Sequence, residues 1–356
     1  MKRLEALRRN MAERELEFLL VTGAANRRYL SGFTGSAGVL LVTPDRCWLV
    51  TDFRYFEQAR QQAPDWELYP QKGRLTEALA QLLREQGIRR LAFEKEHVTY
   101  AQYESLAELG LELVGQAGLV EKLRMTKDEG ELEAIRVAAA LADAAFAHVL
   151  SVIRPGVKEE EVALELEYHM RRAGASAAAF DIIVASGPRS ALPHGRASSR
   201  RIEPGDFVTI DLGCVVDGYC SDLTRTVVVG RADERQREVY ELVARAQRAG
   251  LEALRAGRRG SEVDAEAREV IIRAGHGDHF GHGLGHGVGL EVHEAPRLSP
   301  QAAGPDEPLL EAGMVLTVEP GVYIPGWGGV RIEDLVVVRQ EGCEILSRAD
   351  KQLIEL

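Results

Sequence analysis

Along the first third of the chain, apolar and polar positions change period several times. Residues 2–14 place apolar side chains at helical spacing, and 17–22, 39–43 and 48–51 are apolar runs of strand length. Helical spacing returns at 53–62, 75–85 and 99–109, with a short strand at 91–94 between the last two. This alternation predicts an α/β unit of modest size. Glycines 32, 35 and 38 interrupt the segment Leu30-Ser-Gly-Phe-Thr-Gly-Ser-Ala-Gly38, which predicts a turn or loop.

The pattern changes near residue 122. A strong apolar stripe over 129–152 predicts a long helix, with Thr126 as N-cap and Glu129 at capping-box spacing. Arg154-Pro-Gly156 stops it. A second helix is expected over 158–173, then strands at 207–213 and 224–229. Helices at 234–256 and 261–274 follow, then a Gly- and His-rich stretch at 275–296, then strands at 314–319 and 330–338. The order helix, helix, strand, strand thus occurs twice. It predicts two related halves, although no sequence repeat accompanies it. A chain of 356 residues is long for one core, and the expected division is 1–122 and 123–356.

Composition narrows the function classes. Charged residues make up 28% and the formal net charge is -11, which disfavours a nucleic-acid partner. No run of about 18 apolar residues occurs, so no membrane-spanning helix is expected, and the first residues have no apolar stretch of signal-peptide length. The four cysteines lack CxxC spacing. A disulfide framework is therefore not expected, and a cytoplasmic location is.

Carboxylates inside apolar runs are the anomaly that points to chemistry. Asp211 lies in Phe-Val-Thr-Ile-Asp-Leu-Gly, where burial demands a cation, a metal or strong donors. The plainer alternative is an aspartate capping the turn at Gly213. Asp222 lies just before the next strand, and Asp217-Gly218 between the two is a hairpin signal. A hairpin brings the aspartates together, and like charges that close repel unless a cation intervenes. The plainer alternative pairs Asp222 with Arg225. Glu319 and Glu333 repeat the arrangement around Pro325-Gly326 and Gly328-Gly329. For Glu333 the plainer alternative is an ion pair with Arg331.

His286 sits in Gly-His-Gly-Leu-Gly-His-Gly-Val-Gly. His282 and His286 are four apart, a zinc-pair spacing on a helix, but the alternating glycines oppose a helix. An extended chain puts Phe280, His282, Leu284, His286 and Val288 on one face. Four carboxylates and one imidazole suit Mn²⁺, Co²⁺, Fe²⁺ or Zn²⁺ in a two-metal centre.

The ordered set Asp211, Asp222, His286, Glu319, Glu333 resembles that of the pita-bread metallopeptidases, which include methionine aminopeptidase, aminopeptidase P and prolidase. Thr209-Ile-Asp-Leu-Gly213, Ser221-Asp-Leu-Thr-Arg-Thr226, Gly285-His-Gly-Val-Gly289, His293-Glu-Ala-Pro296, Val318-Glu-Pro-Gly321 and Arg331-Ile-Glu-Asp334 carry the likeness. Asn26-Arg-Arg-Tyr-Leu-Ser-Gly-Phe-Thr-Gly-Ser-Ala-Gly38, Thr51-Asp-Phe-Arg-Tyr55 and Leu192-Pro-His194 resemble the proline-specific branch. The resemblance implies an α+β fold: a pita-bread catalytic domain preceded by a smaller α/β creatinase-like N-terminal domain.

It also implies roles. Asp211 would chelate one ion, His286 and Glu319 the other, and Asp222 and Glu333 would bridge both. A water between two divalent ions, expected to be Mn²⁺, becomes a hydroxide nucleophile near neutral pH. Glu319 would shuttle the proton, while His194 and His293 would contact the substrate or stabilise the tetrahedral intermediate. His282 would shape the pocket, and Arg331 would neutralise the carboxylates or contact the substrate. The implied activity is that of an Xaa-Pro aminopeptidase acting on peptides with proline second, in a homo-oligomer. An Xaa-Pro dipeptidase (prolidase) is the alternative. A metal-free creatinase-like hydrolase and a peptide-binding module share the fold but lack the ligand set.

Overall fold

A computed structural model describes residues 2–305 and 307–356. The chain divides into two compact units, Met1–Arg124 and Met125–Leu356.

The first unit is built on a six-stranded sheet. Its spatial order is Glu67–Pro70, Cys47–Thr51, Val39–Val42, Leu19–Val21, Arg90–Glu94, Glu112–Gln116. The central strands Val39–Val42 and Leu19–Val21 are buried on both faces, which explains their unbroken apolar runs. Leu79, Leu82 and Leu83 of the helix Leu75–Glu85 pack on Leu20, Leu41 and Leu91. The pattern did not announce the two edge strands. Glu67–Pro70 and Glu112–Gln116 are only half-buried and contain Glu, Pro and Gly. They hold strand geometry by pairing rather than by propensity. The helix Ala24–Ser31 was also missed, and it takes in the first two residues of the segment expected to be a loop.

The second unit contains the repeated order. In its first half the helices Glu129–Val149 and Glu159–Arg172 cover a three-stranded antiparallel sheet. Phe207–Leu212 is central in that sheet, between Ile183–Ser186 and Leu223–Val228. In its second half the helices Glu234–Ala253 and Gly260–Arg273 cover a five-stranded sheet ordered Glu294–Leu298, Gly285–Gly287, Val315–Val318, Asp334–Val338, Cys343–Ile345. Ala142, Phe146 and Val208 centre the first core, and Val243, Ile271 and Leu316 the second.

Two local expectations are corrected. The long helix is capped by Asp128, not Thr126, and the reciprocal residue is Glu131, not Glu129. Thr126 is still extended and bridges Met314, so the cap falls two residues later. Losing the Asp128 cap would cost about 1 kcal/mol. The single strand expected over 330–338 is two strands. Gly328–Arg331 pairs with Gly321–Ile324, and Asp334–Val338 pairs with Val315–Val318. Between them the Glu333 N–H donates to the Thr224 carbonyl at 3.1 Å, which ties the second sheet to the first. The switch of partner is a tertiary event that an apolar run cannot reveal.

Candidate metal centre

Two turns bring the carboxylates together. Asp217 and Gly218 both have positive φ, 46° and 78°, as the tight reversal between Cys214–Val216 and Tyr219–Cys220 requires. The chain returns with Thr224 opposite Asp211, so Asp222 stands near Asp211 across the ladder. In the second half Val318 opposes Asp334, which places Glu319 and Glu333 just beyond the last paired rung.

His286 projects from the short strand Gly285–Gly287. Its glycine neighbours are needed for close approach. A Cβ on Gly285 would lie 2.0 Å from the Thr317 carbonyl oxygen, and one on Gly287 2.3 Å from that of Ala295. The imidazole is oriented by its main chain. Nδ1 is 3.1 Å from the Gly287 carbonyl oxygen, an acceptor only, so Nδ1 carries the proton and Nε2 faces the carboxylates. Nε2 lies 3.3 Å from Glu319 Oε1 and 3.7 Å from Asp222 Oδ2. Ligand atoms of Asp222, His286 and Glu333 lie within 4.8 Å of one another, and all three residues are buried.

The charges are not balanced by protein alone. Burial, and then the neighbouring Glu333, push Asp222 well above the ordinary carboxylate range. Burial and Glu319 do the same to Glu333. Burial also raises Asp211, against the pull of Arg331. For Glu319 burial alone would raise the value, but the bond to His286 and its charge hold it low. Burial would lower His286, and Glu319 raises it instead. Arg331 Nη2 bonds Asp211 Oδ2 at 2.7 Å, yet Asp211 Oδ1 is buried with no hydrogen-bond partner among the described residues. An orphaned carboxylate oxygen within a four-carboxylate, one-imidazole donor set fits divalent ions well.

Around this centre lies a cavity of about 920 Å³. All nine residues singled out from the sequence line it: His194, Asp211, Asp222, His282, His286, His293, Glu319, Arg331 and Glu333. His194 and His293 are exposed at its wall. The His293 ring centroid is 4.3 Å from that of His286, and burial, then the His286 charge, lower its pKa.

The plainer pairings do not occur. Arg331 is on Asp211 rather than Glu333, and Arg225 is on Asp334 rather than Asp222. Sequence reasoning missed Tyr323 and Thr224. Tyr323 accepts from Arg331 Nη1 at 2.9 Å and donates to His282 Nε2 at 2.8 Å, while His282 Nδ1 donates to the Gly283 carbonyl. Burial lowers the pKa of His282 and pushes that of Tyr323 up to about 12. Thr224 Oγ1 donates to Glu333 Oε2. The only signal for either was a polar side chain within an apolar strand.

The model for metallopeptidase family M24 matches residues 133–340, and that for the creatinase/prolidase N-terminal domain matches residues 3–126. The chain belongs to metallopeptidase family M24. An uncharacterized peptidase of Bacillus subtilis is 45% identical over 99% of this chain and 100% of its own length. An Xaa-Pro dipeptidase of Pyrococcus furiosus is 40% identical over 99% of each. Among solved structures, an Xaa-Pro dipeptidase from Bacillus anthracis superposes with TM-score 0.97 at 48% identity, covering 100% of this chain and 99% of that one. An X-Pro aminopeptidase from Thermotoga maritima does so with TM-score 0.89 at 38% identity, covering 98% and 100%. The fold is therefore the creatinase-type N-terminal domain followed by the pita-bread catalytic domain, as the sequence motifs implied. Divalent metal chemistry belongs to the family. No helix among the described residues is long and apolar enough to cross a membrane.

Proposed function

We propose that this chain hydrolyses the bond before proline at the N-terminus of short peptides, using two divalent ions. The observation that carries the reading is the set of four carboxylates, Asp222 and Glu333 buried and Asp211 and Glu319 half-buried, that lines the cavity with His286, where Asp211 Oδ1 has no hydrogen-bond partner among the described residues. Asp211 would hold one ion and His286 with Glu319 the other, with Asp222 and Glu333 shared. When bound, the ions supply an acidified water and polarise the scissile carbonyl. An oxygen-rich set with one nitrogen suits Mn²⁺.

The remaining roles belong to side chains. Glu319, ionised at neutral pH, takes a proton and returns it to the proline nitrogen, which carries no hydrogen of its own and leaves as a secondary amine. His194 and His293 contact the substrate. Arg331 neutralises Asp211, and His282 shapes the wall. Residues 123–356 are assigned the chemistry, and residues 1–122 form the creatinase-like N-terminal domain. A homo-oligomer in the cytoplasm completes the reading. The four cysteines, all free thiols, suit a reducing compartment.

Chain length separates the aminopeptidase from the dipeptidase, and one observation favours the latter. Arg297 lines the same cavity, and its charge bears on both His286 and His293. A guanidinium there suits the free carboxylate that a dipeptide places next to the scissile bond. Comparing Ala-Pro with Ala-Pro-Ala at equal concentration, by release of alanine, tests both. Cleavage of the tripeptide supports the aminopeptidase, and cleavage of the dipeptide alone the dipeptidase. Failure of both with metal bound would defeat the proposal.

A further inference from the structure

The Arg225 side chain is 1% exposed and is not among the residues lining the cavity. A guanidinium has five N–H donors in a rigid fork. All five are used here. Nε donates to the Asp350 carbonyl at 3.0 Å, and Nη1 donates to the Thr224 carbonyl at 2.9 Å and to that of Glu333. Nη2 donates to Asp334 Oδ1 and to the Ala349 carbonyl, each at 2.8 Å. The other Asp334 oxygen accepts from Gln247 at 2.8 Å and Lys351 at 2.6 Å, so the buried carboxylate is itself held from two further segments.

The placement of these acceptors is the point. Thr224 belongs to the first sheet, two residues after Asp222. Glu333 lies just before the second sheet's strand Asp334–Val338 and is itself a candidate ligand. One planar group grips the main chain of both at the seam where their side chains meet, with Thr224 Oγ1 on Glu333 Oε2 at 2.6 Å. Across that seam Arg225 donates to the Glu333 carbonyl and to Asp334, while its bond to the Thr224 carbonyl fixes the guanidinium on its own strand.

We propose that Arg225, braced by Asp334, is a positioning residue that sets the span between Asp222 and Glu333 and so the affinity of the site for divalent ions. The proposal rests on the metal reading above. Supporting groups behind ligands typically change metal affinity by about 10- to 100-fold when removed. Lysine at this position keeps the charge opposite Asp334 but has only three donors and no planar fork. It cannot satisfy both carbonyls at the seam together with those of Ala349 and Asp350.

The test is Mn²⁺ titration calorimetry on metal-depleted protein, at a temperature well below each variant's melting point. Activity is followed in parallel against free Mn²⁺. Arg225→Lys is expected to bind Mn²⁺ about 10- to 100-fold more weakly. Turnover should be largely regained at saturating Mn²⁺, with KM for the peptide nearly unchanged. Arg200→Lys, which weakens the Arg200–Asp206 pair far from the ligands, should lower the melting point but not the Mn²⁺ affinity. A folded Arg225→Lys protein with wild-type Mn²⁺ affinity overturns the proposal. If that variant does not fold, Asp334→Asn is judged by the same affinity criterion. Wild-type protein that binds no Mn²⁺ would overturn the metal reading itself, an outcome distinct from unchanged affinity in the variant.

Discussion

Thr224 Oγ1 donates to Glu333 Oε2 at 2.6 Å and accepts from Arg331 Nε at 3.1 Å, so one hydroxyl joins the Glu333 carboxylate to the guanidinium that holds Asp211. Thr224→Val keeps the shape and removes both bonds. Turnover should fall at least tenfold and Mn²⁺ should bind more weakly, with a stability loss of about 1 kcal/mol. Steady-state kinetics with calorimetry checks this. Normal kinetics in the variant would show that the hydroxyl is dispensable.

Chelation should remove activity, and Mn²⁺ or Co²⁺ should restore it. Bound ions also stabilise the fold, by about 2.7 kcal/mol when free ion is at a hundred times its dissociation constant. The melting point should therefore rise with Mn²⁺ concentration. Asp222→Ala and Glu333→Ala should abolish turnover, lower metal content, and lose that concentration dependence. Activity that survives verified metal removal would rule out the proposed chemistry.

Acidity should affect the metal-free protein in an unusual direction. Asp222 and Glu333 titrate above their unfolded values, because of burial first and then of Glu333 for Asp222 and of Glu319 for Glu333. The folded chain then binds more protons than the unfolded one above about pH 4. Their contribution to stability is complete below that range and is lost as pH rises through the folded values. Glu333→Gln should flatten the decline and raise the metal-free melting point at about pH 8 while eliminating turnover. Differential scanning calorimetry at several pH values decides it. A Gln variant less stable than wild type at the alkaline end would contradict the assignment.

Tyr323→Phe should strike the wall of the cavity rather than the ions. It leaves the buried His282 Nε2 without its donor, a cost of about 1–3 kcal/mol. The Arg331–Asp211 pair stays, so Mn²⁺ stoichiometry should hold while kcat/KM drops about tenfold. Metal loss in step with activity would show that Tyr323 acts through the ligands instead.

What could be read without coordinates follows a physical rule. Asp211 and Glu333 stood out because a carboxylate within an apolar run is costly unless something compensates it. His286 stood out because alternating glycines exclude a helix. Thr224, Arg225 and Tyr323 did not, since each is ordinary in a strand and gains meaning only from a partner about 8 to 125 positions away. The edge strands Glu67–Pro70 and Glu112–Gln116 escaped notice for the same reason, being held by neighbours rather than by their own composition. The break at Ile332 and Glu333 was hidden inside a continuous apolar stretch, where the choice of sheet is made by tertiary pairing.

The two glycines beside His286 bear on any attempt to retune the centre. The Thr317 and Ala295 carbonyls are too close to admit even a methyl group, so the main chain there has no clearance toward them. The donor atom at that position is therefore fixed by side-chain reach alone. An aspartate oxygen reaches less far from its Cα than the imidazole Nε2 does, whereas a glutamine or glutamate spans a similar depth. Redesign for a harder or softer ion has to choose replacements by length first and by donor chemistry second.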